Sequence, residues 1–174
     1  MKLSFCSKQV KTPSFLDLCN TTANYGFSGF EIYNAKAEAS EHSDSIFNPS
    51  AMAGAKRKLV NRHIAISAIK FPVKVDVNVD VNALTEYVEL CAMATCYNLI
   101  FELGEIDDLQ LFKAVLTPTI KTAEKLGVNL LIELSKKATA VFGSSFVGSE
   151  PVSTNETTSS FVKISFVNNV SAIK

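Results

Sequence analysis

Three carboxylates in this chain sit in or at the end of short apolar runs. Glu133 closes Gly127-Val-Asn-Leu-Leu-Ile-Glu133, Glu31 interrupts Phe30–Tyr33, and Glu102 falls within Leu99–Leu103. A carboxylate at the end of a buried strand is costly unless it meets a metal, a cation or a substrate hydroxyl. Glu133 is therefore the first site candidate; the alternative is a solvated Glu, or one paired with a nearby Lys. Lys70, near the end of Ile64–Phe71, could bind a phosphate or simply be solvated. His42 lies in a polar stretch where it could reach over a strand end or stay exposed.

These residues need elements to hold them. Lys2–Cys6 reads as a first strand, followed by a helix capped by Ser14 with Asp17 three residues on, lined by Phe15, Leu18, Cys19 and Ala23 and stopped by Gly26. Phe30–Tyr33 is strand two, and residues 35–47 read as a polar loop. Asn48-Pro49 has the chemistry of a helix start, and that helix runs to about His63. Ile64–Phe71 is strand three. Residues 73–81 alternate strictly and read as a loop or a short edge hairpin before a helix capped by Asn82. Leu99–Leu103 is strand four. A helix from about Asp108 kinks near Pro118 and ends at Gly127, and Leu130–Leu134 is strand five.

Beyond strand five the composition shifts to Ser and Thr over residues 143–160, a loop-like texture, before the apolar Phe161–Val167 suggests a last strand. The expected organisation is one α/β domain over residues 1–135 and a divergent polar segment over 136–174. Repeated βα units predict a parallel sheet with ligands at the C-terminal ends of its strands, built either as part of a (β/α)8 barrel or as an open doubly wound sheet. The turn after strand one carries no Gly, which argues against a nucleotide-binding open sheet.

The bulk properties exclude other classes. The 174 residues carry 17 basic and 17 acidic side chains, so no net charge points to nucleic acid or an anionic membrane. Lys56-Arg57-Lys58 reads as a solvated helix face. No apolar run reaches the length of a membrane span, and the N-terminus lacks the pattern of a signal peptide. The four cysteines show no zinc spacing and read as buried thiols of a cytoplasmic protein.

Three segments in order, Lys2-Leu-Ser-Phe-Cys6, Tyr25-Gly-Phe-Ser-Gly-Phe-Glu-Ile32 and Ala123-Glu-Lys-Leu-Gly-Val-Asn-Leu-Leu-Ile-Glu133, resemble the xylose isomerase-like barrels, the sugar phosphate isomerases and epimerases. The resemblance covers residues 1–135 and implies a partial TIM barrel. It implies a divalent metal (Mn, Mg, Co or Zn) at the mouth, with Glu133 as a ligand. It also implies a small sugar or sugar phosphate as substrate, and acid/base roles for carboxylates such as Glu133 and Glu31. Glu102, His42 and Lys70 become candidate substrate contacts.

The chain departs from that pattern. A barrel of this kind takes about 250 residues, and Phe161-Val-Lys-Ile-Ser-Phe-Val-Asn-Asn169 offers no Asp or His as a next ligand. The expectation is a sugar isomerase- or epimerase-related chain, truncated, fragmentary or decayed, that shows little isomerase activity alone and works as an oligomer or beside a missing C-terminal half. The alternative is a non-catalytic half-barrel acting through a partner. The DNA-repair endonucleases that share this barrel need a histidine cluster and a basic face, which two histidines and zero net charge do not supply.

Overall fold

A computed structural model of the chain describes residues 3–134 and 160–163. Five strands, β1 (Ser4–Cys6), β2 (Gly29–Ile32), β3 (Ala65–Lys70), β4 (Asn98–Glu102) and β5 (Asn129–Leu134), lie side by side in chain order and pair in parallel. The helices between them are α1 (Phe15–Asn24), α2 (Ala35–Glu41), α3 (Met52–Asn61), α4 (Val81–Met93) and α5 (Leu109–Leu126). This is an α/β fold with the strand order of a barrel, and the sheet is not closed. No helix among the described residues is long and apolar enough to cross a membrane.

The last described strand, β6 (Ser160–Lys163), joins β5 in antiparallel register, Glu133 opposite Phe161. It begins one residue before the expected Phe161, and residues 164–167 of that expectation lie outside the described residues. A parallel neighbour needs a crossover connection, usually a helix, whereas an antiparallel one can be reached by a simple return.

Local chemistry explains most boundaries. The Asp17 N–H donates to Ser14 Oγ at 3.0 Å, the expected cap of α1. Asp108 accepts from the N–H groups of Gln110 and Leu111 at the start of α5. That helix ends at Gly127, which takes a φ of 70°, a left-handed conformation that glycine adopts without a Cβ clash.

Other boundaries differ from expectation. The polar stretch after β2 is not all loop: Asn34 accepts from the Lys36 and Ala37 N–H groups and starts α2. Asn48 does not cap α3 with its side chain. It turns back instead, donating Nδ2 to the carbonyls of Ala39 and His42, and α3 begins at Met52. Asp80 rather than Asn82 caps α4, and the segment before it forms only a single parallel bridge, Val75 to Leu103.

Side chains of a parallel sheet alternate between its two faces. Phe30, Ile32, Ile69, Leu99, Phe101, Leu130 and Ile132 are buried in the hydrophobic core with helix residues such as Phe15, Leu84, Val88 and Leu116. The residues between them face the other way, into the concave side. One irregularity breaks the alternation. Phe30 pairs with Ile66, but the next residue, Glu31, pairs with Ala68, so β3 carries an extra residue at Ser67. This bulge puts Ile66 and Ile69, three apart, in the same core and turns Ala68 and Lys70 to the opposite face.

Candidate functional site

The concave face is graded along the strands. At the N-terminal end, Asn129 Nδ2 donates to Asn98 Oδ1 at 3.0 Å, and Asn98 Nδ2 donates to the Ser67 carbonyl at 2.9 Å. One step up, Ile100 is in register with Leu131. At the C-terminal end every parallel strand places a polar side chain: Cys6 in register with Glu31, Lys70 two residues beyond Glu31's partner Ala68, and Glu102 in register with Glu133.

Lys70 organises this end. Its Nζ donates to Glu102 Oε1 at 2.8 Å and to Glu133 Oε2. The lysine is largely enclosed, 14% exposed, while Glu102 is 43% and Glu133 24% exposed. Burial alone would pull the Lys70 ammonium down. The two carboxylates outweigh it and hold the pKa above the usual lysine range. The hydrogen bond from Lys70 correspondingly holds the Glu102 carboxyl below its usual range. Glu133 is thus salt-bridged to a lysine.

Cys6 and Tyr33 complete the surroundings and were not singled out by sequence. Burial, with the adjoining Glu31 carboxylate, pushes the Cys6 thiol up to about 11, so it is a thiol and not a thiolate at neutral pH. The Tyr33 ring has the Lys8 ammonium 4.2 Å and the Lys70 ammonium 6.0 Å from its centre. Cys6 ends its apolar strand as Glu102 ends its own, and that shared position is the signal that could have found it.

His42 belongs to a different arrangement. It follows α2 and is buried with Glu38, its Nδ1 2.7 Å from Glu38 Oε1 and its Nε2 2.9 Å from the Thr12 carbonyl. A carbonyl can only accept, so Nε2 donates; Nδ1 and Glu38 share the second proton, as an imidazolium–carboxylate pair. Burial works against the charged imidazole, but Glu38 and the Thr12 carbonyl raise its pKa overall. Burial raises Glu38, partly countered by His42. His42 borders a cavity of about 460 Å³ whose wall includes Lys8, Lys11, Tyr33, Asn34 and Glu41. Both ring nitrogens are already engaged, so the side chain braces the wall.

The expected divalent metal does not fit what the described residues offer. Among them no group of three His, Cys, Asp or Glu side chains could hold a metal ion. Beside Glu133, the proposed ligand, stands an ammonium. A divalent ion normally takes several protein donors and no cation among them.

No protein-family model matches the chain, and no curated protein matches it in sequence. Solved structures do match its fold. The probable 3-DHS dehydratase AsbF of petrobactin synthesis in Bacillus anthracis superposes with a TM-score of 0.59 at 15% identity, over 76% of this chain and 52% of that one. A xylose isomerase domain protein from Alicyclobacillus acidocaldarius gives 0.54 at 14% identity, over 76% and 50%. An uncharacterised protein from Parabacteroides distasonis gives 0.56 at 11% identity, over 80% and 55%. The chain therefore shares the α/β fold of part of these TIM barrels. It spans about half the length of the structures it matches.

Proposed function

We propose that this chain is related to the sugar and sugar-phosphate isomerases and epimerases and binds a small sugar or sugar phosphate at the C-terminal ends of β2 to β5. The observation that carries the reading is the convergence of Lys70, Glu102 and Glu133 at the end of the sheet where α/β folds bind ligands. Carboxylates accept hydroxyl hydrogens and the ammonium donates to an oxygen, a combination that suits a polyhydroxylated molecule. In this reading Glu31 is the further carboxylate in reach of a bound carbonyl compound. Isomerisation by a metal asks for more donors than the described residues assemble, so the chain by itself binds without turning over.

Calorimetric titration with aldoses, ketoses and their phosphates tests the binding, and NMR of the sugar tests turnover. Binding that Glu133→Gln weakens supports the reading; no binding by any of these sugars overturns it. Among the described residues β1 has no strand on its outer side, an edge open to pairing with another chain. The proposal therefore includes a second copy or a partner chain, and light scattering that returns a stable monomer would count against that part.

A further inference from the structure

We infer that the Lys70 ammonium is the resident cation of this mouth, standing in place of a divalent metal, so that a ligand binds there without any metal ion. The inference rests on the proposed sugar site and adds what supplies its positive charge.

The argument begins with position. Glu102 and Glu133 lie directly opposite each other in register, two like charges that need a cation nearby. That cation comes from the third strand: Lys70 Nζ bonds a carboxylate oxygen of each. With the bulge at Ser67, Ile66 lies in the helix-side core while Lys70 faces away from it. A divalent ion bound by the same two oxygens would have to displace an enclosed ammonium or sit against it, and like charges at such range repel.

The ammonium also has capacity to spare. It carries three N–H donors, of which two serve Glu102 and Glu133. The third can serve a ligand oxygen, with the Tyr33 ring alongside at 6.0 Å. Among the described residues, Lys8 and Lys74 also act on Glu102, so carboxylates and ammoniums alternate around the mouth. Such mixed donors and acceptors suit a neutral polyol.

The test measures Mn²⁺ and sugar separately. Free Mn²⁺ is followed by electron paramagnetic resonance, with the metal at about 1 mM, the range of weak protein sites. The wild-type chain and Lys70→Arg should leave Mn²⁺ free, and Lys70→Met should bind it about tenfold tighter or more. Adding Glu133→Gln to Lys70→Met should abolish that gain. If Lys70→Met does not fold, Lys70→Gln is read in its place. A wild-type chain that binds Mn²⁺ with an affinity that Glu133→Gln removes overturns the inference, whatever the variants do. Titrations with xylose and fructose in EDTA separate this from the functional reading. Sugar bound equally with EDTA or Mn²⁺ supports both; sugar bound only with Mn²⁺ overturns the inference and spares the reading. No sugar bound, with wild-type Mn²⁺ free and the Lys70→Met gain present, overturns the reading and leaves the cation assignment standing.

Discussion

Glu102 and Glu133 face each other across the β4–β5 ladder at the end of the sheet, and the same lysine holds both. Directly opposed like charges destabilise a sheet, and the ammonium bonded to both offsets that repulsion.

Lys70→Met should therefore cost stability as well as change the mouth. Half-buried ion pairs fall between exposed ones and fully buried ones, so a loss of roughly 1–3 kcal/mol is expected near pH 7. The lowered Glu102 pKa means that its share of stability is present above the ordinary glutamate pKa and is lost as pH falls through the lowered value. The raised Lys70 pKa confines the lysine's loss to strongly alkaline solution. Thermal melts should show the variant well below wild type at neutral pH and converging on it in acid, below the lowered Glu102 value. An equal deficit at both pH values would show that lost packing, not charge, is responsible.

The His42–Glu38 pair gives the opposite pH signature. Both groups have raised pKa values: the share of His42 is complete below the ordinary histidine value and drains away as pH rises through its raised one, while that of Glu38 is complete only below the ordinary glutamate value and drains away from there upward. Asp44 and Glu41 add negative charge in the same neighbourhood and act in the same sense. Melting temperature should fall between about pH 6 and pH 8 in wild type, and His42→Gln should flatten that slope. His42→Ala leaves a buried carboxylate without its partner and should cost about 3 kcal/mol. A wild-type melting temperature independent of pH in this range would refute the assignment.

Asp44 ties a loop to a helix start. Its carboxylate accepts from the N–H groups of Phe15 and Leu16 at 2.9 and 3.0 Å, and from Lys58 Nζ at 2.6 Å. Burial opposes its charge, but Lys58 and the two N–H groups bring its pKa below the usual range. Asp44→Ala should lower stability by about 2 kcal/mol in chemical denaturation at pH 7. The deficit should shrink in acid, where the wild-type carboxylate is itself protonated. Lys58→Met should reproduce only part of it.

Gly29 is fixed by space. A Cβ there would lie 2.5 Å from the Ala65 carbonyl oxygen on the neighbouring strand, whereas one at Gly54 in α3 meets nothing within 4 Å. Gly29→Ala should destabilise by roughly 2 kcal/mol, and Gly54→Ala should be neutral or stabilising by up to about 1 kcal/mol. Urea midpoints of the two variants that move together would contradict the packing described for β2 and β3.

Legibility in the sequence followed the range of the interaction. Ser14, Asp108 and Gly127 act within a few residues of themselves, and their roles at helix ends could be read directly. Glu102 closes its strand, Glu133 stands one residue before the end of its own, and Glu31 interrupts its run, and each of these is also a local fact. Asn48 carries the signature of a helix cap, yet its amide is used by α2, a partner that no local pattern reveals. The lysine bonded to Glu133 lies 63 residues away in sequence, and only the three-dimensional register brings it there. Direction was equally hidden: an apolar run such as Phe161–Val167 reads the same whether it pairs parallel or antiparallel.

The extra residue at Ser67 works as a change of parity. Even-numbered Ile66 and Lys70 would share a face of any regular strand, and counting from either would place the other wrongly. With one residue inserted between them, a six-residue segment serves two environments, sealing the helix layer at one end and presenting a charge to the concavity at the other. Any chemically mild replacement at Ser67 leaves the count intact, and deleting Ser67 itself would leave a regular strand that still sends Ile66 and Ile69 to the helix layer and Lys70 to the concavity. The parity of Ala68–Lys70 is then what this strand must conserve.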